Sequence, residues 1–453
     1  MLRGPRPRPG RGALGWGRAG STTDCTGPST WQQTSRTSFP RGERVAEESS
    51  QRRILLVDCD AFFVQVARIE DPEGAGKARY LIVGGSPTGR GVVTSASYEA
   101  RAFGVRSAMP TAQALRLCPQ ATVAPVSRDG VSRKSHEVRD VLKRLAPVVQ
   151  AASVDEFYLD LSGTERLFAR ESLEDTARRI REAVLAETDI SVSIGGGTRR
   201  VIAKLASSRA KPAGVHIVAA GSEQDFLNEL DLADLPGVGP ALVEALKKRG
   251  LVRVKDAVEV QREWLESWLG QRRGAWLWRR VRGVDESEVD PHERRRSVSA
   301  ERTFFEDLDA DRDLERRLLE ITSSVGGSLR KRGYRARTIT VKLRDSDFKT
   351  RTRAKTLPEP VESNAAIHEV AKVLLHELRE HRRTPARLLG VGLTGLSEGE
   401  NREQLGLFAA EPAGGETERD RSVSRVVDQL RDRFGREAVQ PGGTLERDER
   451  PRR

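Results

Sequence analysis

The ten residues Ile54-Leu55-Leu56-Val57-Asp58-Cys59-Asp60-Ala61-Phe62-Phe63 restrict this chain more than any other stretch. Four apolar residues in a row, bounded by polar ones, suit a short buried strand better than a helix. Such a strand delivers two carboxylates at its end, with an aromatic pair directly behind them. A second stretch, Ser153-Val154-Asp155-Glu156-Phe157-Tyr158-Leu159-Asp160-Leu161, sets adjacent acids among β-prone residues, as a hairpin or strand end does. If the two strands pair, Asp58, Asp155 and Glu156 meet at one edge of a sheet. Three carboxylates do not stay ionised together without a cation, so a hard metal is their natural partner. Two such ions, about 3.5–4 Å apart, can clamp the attacking and the leaving oxygen of an in-line phosphoryl displacement.

At 453 residues the chain is long for one core and divides into two to four domains. Its net charge of +12 favours a polyanionic partner. No run of 18 apolar residues occurs, so the expectation is no membrane span. Cys25, Cys59 and Cys118 are too few and too scattered for a disulfide framework or a zinc site, and the six histidines are equally dispersed. A reducing, cytoplasmic setting follows. Residues 1–50 are rich in Pro, Gly, Ser and Arg without periodicity, which reads as a disordered extension. The arginines ahead of Asp24 share the bias of an organelle transit peptide, but the Gly and Pro content opposes the amphipathic helix such a peptide needs.

From Ile54 to about Val218 strands and helices alternate, an α+β or α/β domain of mixed order. Tyr80–Val83 and Gly91–Val93 read as strands, joined by a turn at Gly84-Gly85-Ser86-Pro87. Ser172 and Asp175 form an approximate capping box for a helix whose apolar face is Leu173, Ala177, Ile180 and Val184. Leu235-Pro236-Gly237-Val238-Gly239-Pro240 precedes a helix over Ala241–Arg249. Its glycines let backbone amides approach an anion, as the hairpin of a helix–hairpin–helix element grips a DNA phosphate; a plain Gly-Pro turn is the other reading. Trp264, Trp268, Trp276 and Trp278 are assigned to core packing in preference to base stacking.

A polar connector over 285–296 leads to a third unit, where Thr338–Arg344 alternates strictly. Ile339, Val341 and Leu343 point inward and Thr338, Thr340, Lys342 and Arg344 outward. Lys349, Arg351, Arg353 and Lys355 extend the basic run. Such a face is either merely solvated or suited to a DNA backbone, with salt-sensitive binding. Beyond Leu396 the chain turns polar around an apolar island, Gln404-Leu405-Gly406-Leu407-Phe408, and Val423–Phe434 has the pattern of one amphipathic helix. An island of this kind can order in a partner's groove.

Taken together, these stretches resemble the Y-family, or translesion, DNA polymerases of the bacterial DNA polymerase IV type, over about residues 52–408. Val57–Phe63 looks like the family's first acidic motif and Ser153–Glu156 like its second. Gly91–Arg101 with Gly104–Pro110 is similar to the fingers motif. Ala203–Ser207 followed by Lys211–Gly214 resembles the next. The resemblance implies an α+β multidomain fold: a palm with a mixed sheet (51–68 and 125–218), small fingers (69–124) and a helical thumb with the helix–hairpin–helix element (219–285). A linker (286–296), an α/β little finger (297–396) and a flexible tail (397–453) complete it.

The resemblance also assigns roles. Asp58, Asp155 and Glu156, with the Cys59 carbonyl, would hold two Mg²⁺ ions, while Asp60 is structural or a lesser ligand. Tyr98, Arg101 and Lys211 would hold the incoming dNTP, whose phosphates suit an arginine fork and a lysine point charge. Phe63 would be the steric gate against a ribose 2′-hydroxyl, and Phe62 a core residue. Gly237, Gly239, Lys342 and Arg344 would contact primer–template DNA, and Gln404, Leu405, Leu407 and Phe408 a β sliding clamp. The expected protein is a monomer. Two departures stand out: Ala67 where the family usually has Glu, and Gly196-Gly197-Thr198-Arg199-Arg200 where Asn-Lys usually follows the Ile-Gly turn. They bear on efficiency and fidelity rather than on the reaction. The rival readings are a non-catalytic clamp-bound scaffold and another two-metal palm enzyme, such as a nucleotide cyclase.

Overall fold

The computed structural model describes residues 52–165, 171–398, 416–435 and 437–444. The Ile54 stretch forms strand β1 (Ile54–Cys59), buried along its whole length. After β2 (Leu81–Gly84), β3 (Val93–Ala96) and β4 (Thr122–Ala124) come β5 (Val148–Ala151), β6 (Glu156–Asp160), β7 (Val192–Gly197) and β8 (Val215–Ile217). The first sheet has the order β5-β6-β1-β7-β8, with β1 antiparallel to both neighbours. A central strand covered on both faces reads as a continuous apolar run. Leu55 and Val57 pack with Val138, Leu142, Ile180 and Val184 from the helices Arg128–Leu145 and Leu173–Thr188. Ile54 and Leu56 pack with Ala203 of the helix Arg200–Ala210 on the other side. Ser172 caps its helix as expected, accepting from the Asp175 N–H at 3.0 Å.

The glycine run Gly195–Gly197 at the end of β7 has a packing cause at its first residue. Gly195 faces the helix Arg200–Ala210, and a Cβ there would lie 2.0 Å from the Ser207 nitrogen and 2.3 Å from the Ala203 carbonyl oxygen. The helix lies directly on the strand because the strand has no side chain at that point.

The second sheet, β3-β2-β4, is smaller. Its β3 begins at Val93 and not at Gly91, because Val92 makes only an isolated bridge to Pro110. The helices between Glu223 and Arg280 enclose a third core, on which Trp268, Trp276 and Trp278 pack. Trp264 departs from its assignment: it is 57% exposed and rests against the Trp268 ring, with centroids 6.1 Å apart. Leu265, its chain neighbour, takes the buried position on that helix.

The connector is not free. Val289 is buried with Ile54 and Leu56, the Asp290 N–H donates to Gln150 Oε1 at 3.1 Å, and Arg200 donates to the Glu288 carbonyl at 2.7 Å. Beyond it, β9 (Ser297–Leu308), β10 (Tyr334–Asp345), β11 (Thr350–Val361) and β12 (Ala386–Glu398) form a sheet of order β11-β10-β12-β9. The helices Asp311–Arg330 and Asn364–His381 cover one face, where Ile339, Val341 and Leu343 are buried as expected. Register corrects the basic run: Arg351, Arg353 and Lys355 pair with Leu343, Val341 and Ile339, which puts them on the helix-bearing side. Arg351 bonds Asp345 and the Leu378 carbonyl there. The open face carries Lys342 and Arg344 among hydroxyls and glycines.

Two further contacts tie the units together. Arg90 donates to the Phe304 carbonyl (3.0 Å) and to Asp307 Oδ1 (2.6 Å), joining the loop before β3 to β9. The segment expected to be a flexible tail contains the helix Glu418–Phe434, opened by a Thr417–Asp420 capping box. It docks through polar contacts, including Arg330 to Asp428 at 2.7 Å and Arg425 to Glu362 at 2.7 Å. The island Gln404–Phe408 lies outside the described residues. No helix among the described residues is long and apolar enough to cross a membrane.

Candidate active site

Asp58 lies directly opposite Glu156 across the β1–β6 ladder. Asp155 sits in the tight turn before β6, where the N–H groups of Ala152 and Ser153 donate to the Glu156 carbonyl (2.9 and 3.2 Å). The Cys59 N–H donates to the Asp155 carbonyl at 2.9 Å, which brings the two acidic motifs side by side. Because β1 is the third of five strands, the acids stand at the end of an interior strand and not on a lateral edge.

Each carboxyl group has its own partner. Lys211 Nζ is 2.7 Å from Asp58 Oδ1, Lys204 pairs with Glu156, and the Ser153 hydroxyl donates to Asp155. Among the described residues no three Asp, Glu, His or Cys side chains are gathered as a metal cage. Like charges spread apart and take the nearest cation. Burial pushes the Asp58 carboxyl above its ordinary range, and Lys211 opposes that rise. The donor set consists of hard carboxylate oxygens, and two ammonium groups already sit on two of them. This chemistry fits hard divalent cations. The Cys59 thiol is excluded: it packs in the core, and burial raises it far above its usual value.

The helix Tyr98–Ala102 starts at Ser97, whose hydroxyl accepts from the Ala100 N–H at 3.3 Å. It aims the Tyr98 hydroxyl at Asp60 Oδ1, to which it donates at 3.1 Å. Burial, and then the Asp60 charge, raise the phenol well above its ordinary range. The Arg101 guanidinium lies 5.0 Å from the Tyr98 ring centroid and donates through Nε to the Ala96 carbonyl at 2.9 Å. Phe62 is a core residue. Phe63 is half-buried, edge-on to Phe62 at 6.0 Å, and packs with Tyr98 on the small cluster around Val64 and Val83.

The structure thus collects Asp58, Asp155, Glu156, Phe63, Tyr98, Arg101 and Lys211 around the end of β1. It does not bring the remaining residues there. Gly237 (φ +97°) and Gly239 form the hairpin ahead of the helix Pro240–Lys247, where Arg272 and Arg273 line the same recess. A Cβ at Gly237 would meet the Trp276 ring at 2.8 Å. Lys342 bonds both Glu301 oxygens at 2.9 Å, and Arg344 donates to the Thr350 hydroxyl at 2.8 Å. Sequence reasoning gave Lys204 no role. Its signal was the seven-residue spacing to Lys211, two helical turns that put both ammonium groups on the sheet face bearing Asp58 and Glu156.

Comparison with known proteins identifies the family. The impB/mucB/samB family matches residues 57–208, and that family's C-terminal domain matches residues 295–407. Residues 233–285 match the family described as the thumb domain of DNA polymerase iota. The DNA polymerase IV of Dehalococcoides mccartyi is 35% identical over 395 residues, 87% of this chain and 98% of its own length. That of Halorhodospira halophila is 38% identical over 354 residues, covering 78% and 98%. Among solved structures, a Y-family polymerase chimera of Dbh and Dpo4 superposes with a TM-score of 0.69 at 26% identity, over 76% of this chain and 99% of its own. An insertion ternary complex of Dbh DNA polymerase gives 0.55 at 26% identity, over 76% and 98%. With three family segments in order and relatives matched along nearly their whole length, the chain belongs to the Y-family of DNA polymerases, beside the bacterial DNA polymerase IV proteins.

Proposed function

We propose that this chain is a template-directed DNA polymerase of the translesion type. The observation that carries the reading is the opposition of Asp58 and Glu156 across β1 and β6, with Asp155 beside them and two lysines against them. Asp58, Asp155 and Glu156, with the Cys59 carbonyl, would hold two Mg²⁺ ions. When bound, these supply the positive charge that activates the primer 3′-hydroxyl and neutralises the triphosphate. The 3′-oxygen bonds to the α-phosphorus of the dNTP as the bond to pyrophosphate breaks. Tyr98, Arg101 and Lys211 hold the triphosphate, and their placement around the acids orients it for in-line attack. The half-buried Phe63 ring takes the space a ribose 2′-hydroxyl would need.

The palm spans 51–68 and 125–218, the fingers 69–124, the thumb 219–285 and the little finger 297–396, joined by 286–296. DNA would be gripped at Gly237 and Gly239 and on the open sheet face at Lys342 and Arg344, through phosphates and without sequence reading. Gln404, Leu405, Leu407 and Phe408 would dock on a β sliding clamp, and the protein would act as a cytoplasmic monomer. A non-catalytic scaffold would not need three acids at this strand end.

Extension of a primed template with dNTPs and Mg²⁺, wild type beside Asp155→Ala, tests the reading. Extension by wild type alone, with both proteins binding DNA, is the expected result. Residual synthesis by Asp155→Ala refutes the metal assignment. Failure of both proteins to extend DNA they bind turns the reading to the scaffold.

A further inference from the structure

Asp60 is as buried as Asp58, at 4% exposure, yet among the described residues no lysine or arginine is a hydrogen-bond partner of its carboxylate. Its carboxylate instead accepts four hydrogen bonds. Oδ1 takes the Tyr98 hydroxyl (3.1 Å) and the Ser193 hydroxyl (2.7 Å). Oδ2 takes the Ser191 hydroxyl (3.0 Å) and the Ala213 N–H (3.0 Å). A carboxylate offers about four lone-pair directions, so this set uses its accepting capacity. The donors come from three separate places: the helix Tyr98–Ala102, the start of β7, and the turn that follows Lys211.

We infer that Asp60 is the positioning residue of the nucleotide pocket, fastening the Tyr98 hydroxyl and the Lys211–Ala213 turn to the strand that carries Asp58. The inference rests on the reading of Tyr98 and Lys211 as triphosphate-binding residues. Those two side chains reach the site from segments more than a hundred residues apart in sequence. Nothing in local structure fixes their spacing, and flexible groups lose freedom when they close on a ligand. A buried acceptor shared by both segments fixes that spacing in advance.

The chemistry distinguishes substitutions. In Asp60→Ala all four donors lose their acceptor. In Asp60→Asn the amide oxygen can serve Ser191 and the Ala213 N–H, while the NH₂ group donates to Ser193 and Tyr98, whose hydroxyls also accept. Geometry is then kept without the charge.

The test measures the dissociation constant of a non-hydrolysable dNTP on the protein–primer–template complex, beside steady-state KM and kcat, with melting temperatures as the fold control. Asp60→Ala should weaken nucleotide binding and raise KM by about tenfold or more, the scale of one hydrogen bond to a charged group. Its kcat should fall less than KM rises, and Asp60→Asn should stay within about threefold of wild type on the same scale. If Asp60→Ala does not fold at the assay temperature, Asp60→Ser takes its place. It keeps one oxygen that cannot serve Tyr98 and Ala213 together, and it should again weaken binding. Unchanged nucleotide binding in the Ala or Ser variant overturns the inference. So does a loss confined to kcat, or a folded Asp60→Asn as weak as Asp60→Ala. Tyr98→Phe and Lys211→Ala separate the two levels: if neither weakens nucleotide binding, the pocket assignment fails, whereas if both do and Asp60→Ala does not, only the role of Asp60 fails.

Discussion

Replacing Asp58 with Asn should stabilise the metal-free protein and abolish its response to magnesium. Asp58 is 5% exposed, and burial raises its carboxyl above the ordinary range despite Lys211 Nζ at 2.7 Å; Glu156 across the ladder adds to the rise. A carboxyl whose folded pKa exceeds its unfolded value favours the fold fully below about pH 3.9 and loses that contribution as pH rises through the folded value. At neutral pH the charged group therefore costs stability. Asn keeps the shape and removes the charge, and Lys211, whose side chain is 30% exposed, regains water. Replacing a whole buried ion pair by neutral groups stabilises by about 1–4 kcal/mol, whereas removing one partner costs about 3–5 kcal/mol when the charge left behind stays buried. Because Lys211 is partly solvated that penalty is largely relieved, and the net gain is at most ~1 kcal/mol. That is worth roughly 1 °C in melting temperature for a chain of this length. Magnesium at ten times its dissociation constant should stabilise wild type by about 1.4 kcal/mol and the variant not at all, so the order of melting temperatures inverts. Calorimetry in EDTA and across a magnesium titration reads both effects. A variant that melts below wild type in EDTA refutes the electrostatic reasoning, and an undiminished magnesium shift removes Asp58 from the metal site.

Phe63→Ala should let ribonucleotides be incorporated; unchanged sugar discrimination in single-nucleotide insertion would take Phe63 out of the gate. Gly195→Ala forces a methyl to within 2.0 Å of the Ser207 nitrogen, so the helix Arg200–Ala210 must move. The expected loss is about 1–3 kcal/mol in urea unfolding, with weaker nucleotide binding because that helix carries Lys204 and leads to Lys211. A midpoint equal to wild type would show that the strand yields instead. Leu407→Ala with Phe408→Ala should remove stimulation by a sliding clamp and leave clamp-free extension intact; stimulation at the wild-type level would return the island to an ordinary apolar cluster.

What the sequence determined by itself was local. The run Ile54–Val57 suited a short buried strand better than a helix, the period-2 pattern of Thr338–Arg344 set which side chains face inward, and Ser172 marked a helix start. Each of these follows from neighbours a few residues apart. The two acidic motifs already pointed to Asp58, Asp155 and Glu156 as a metal site if their strands paired, and the family resemblance then supplied the roles of Tyr98, Arg101 and Lys211, which local pattern does not contain. Tertiary structure alone decided the rest. Pairing register sent Arg351, Arg353 and Lys355 to the helix side, because a strand's faces are defined only relative to its partner. The Gly195–Gly197 run acquired its meaning from a helix packed on it, and Trp264 lost its place in the core to Leu265. Asp60 is the clearest case: its donors at positions 98, 191, 193 and 213 are far apart in the chain. A carboxylate's partners are chosen by distance and direction in space, and those exist only once the chain has folded.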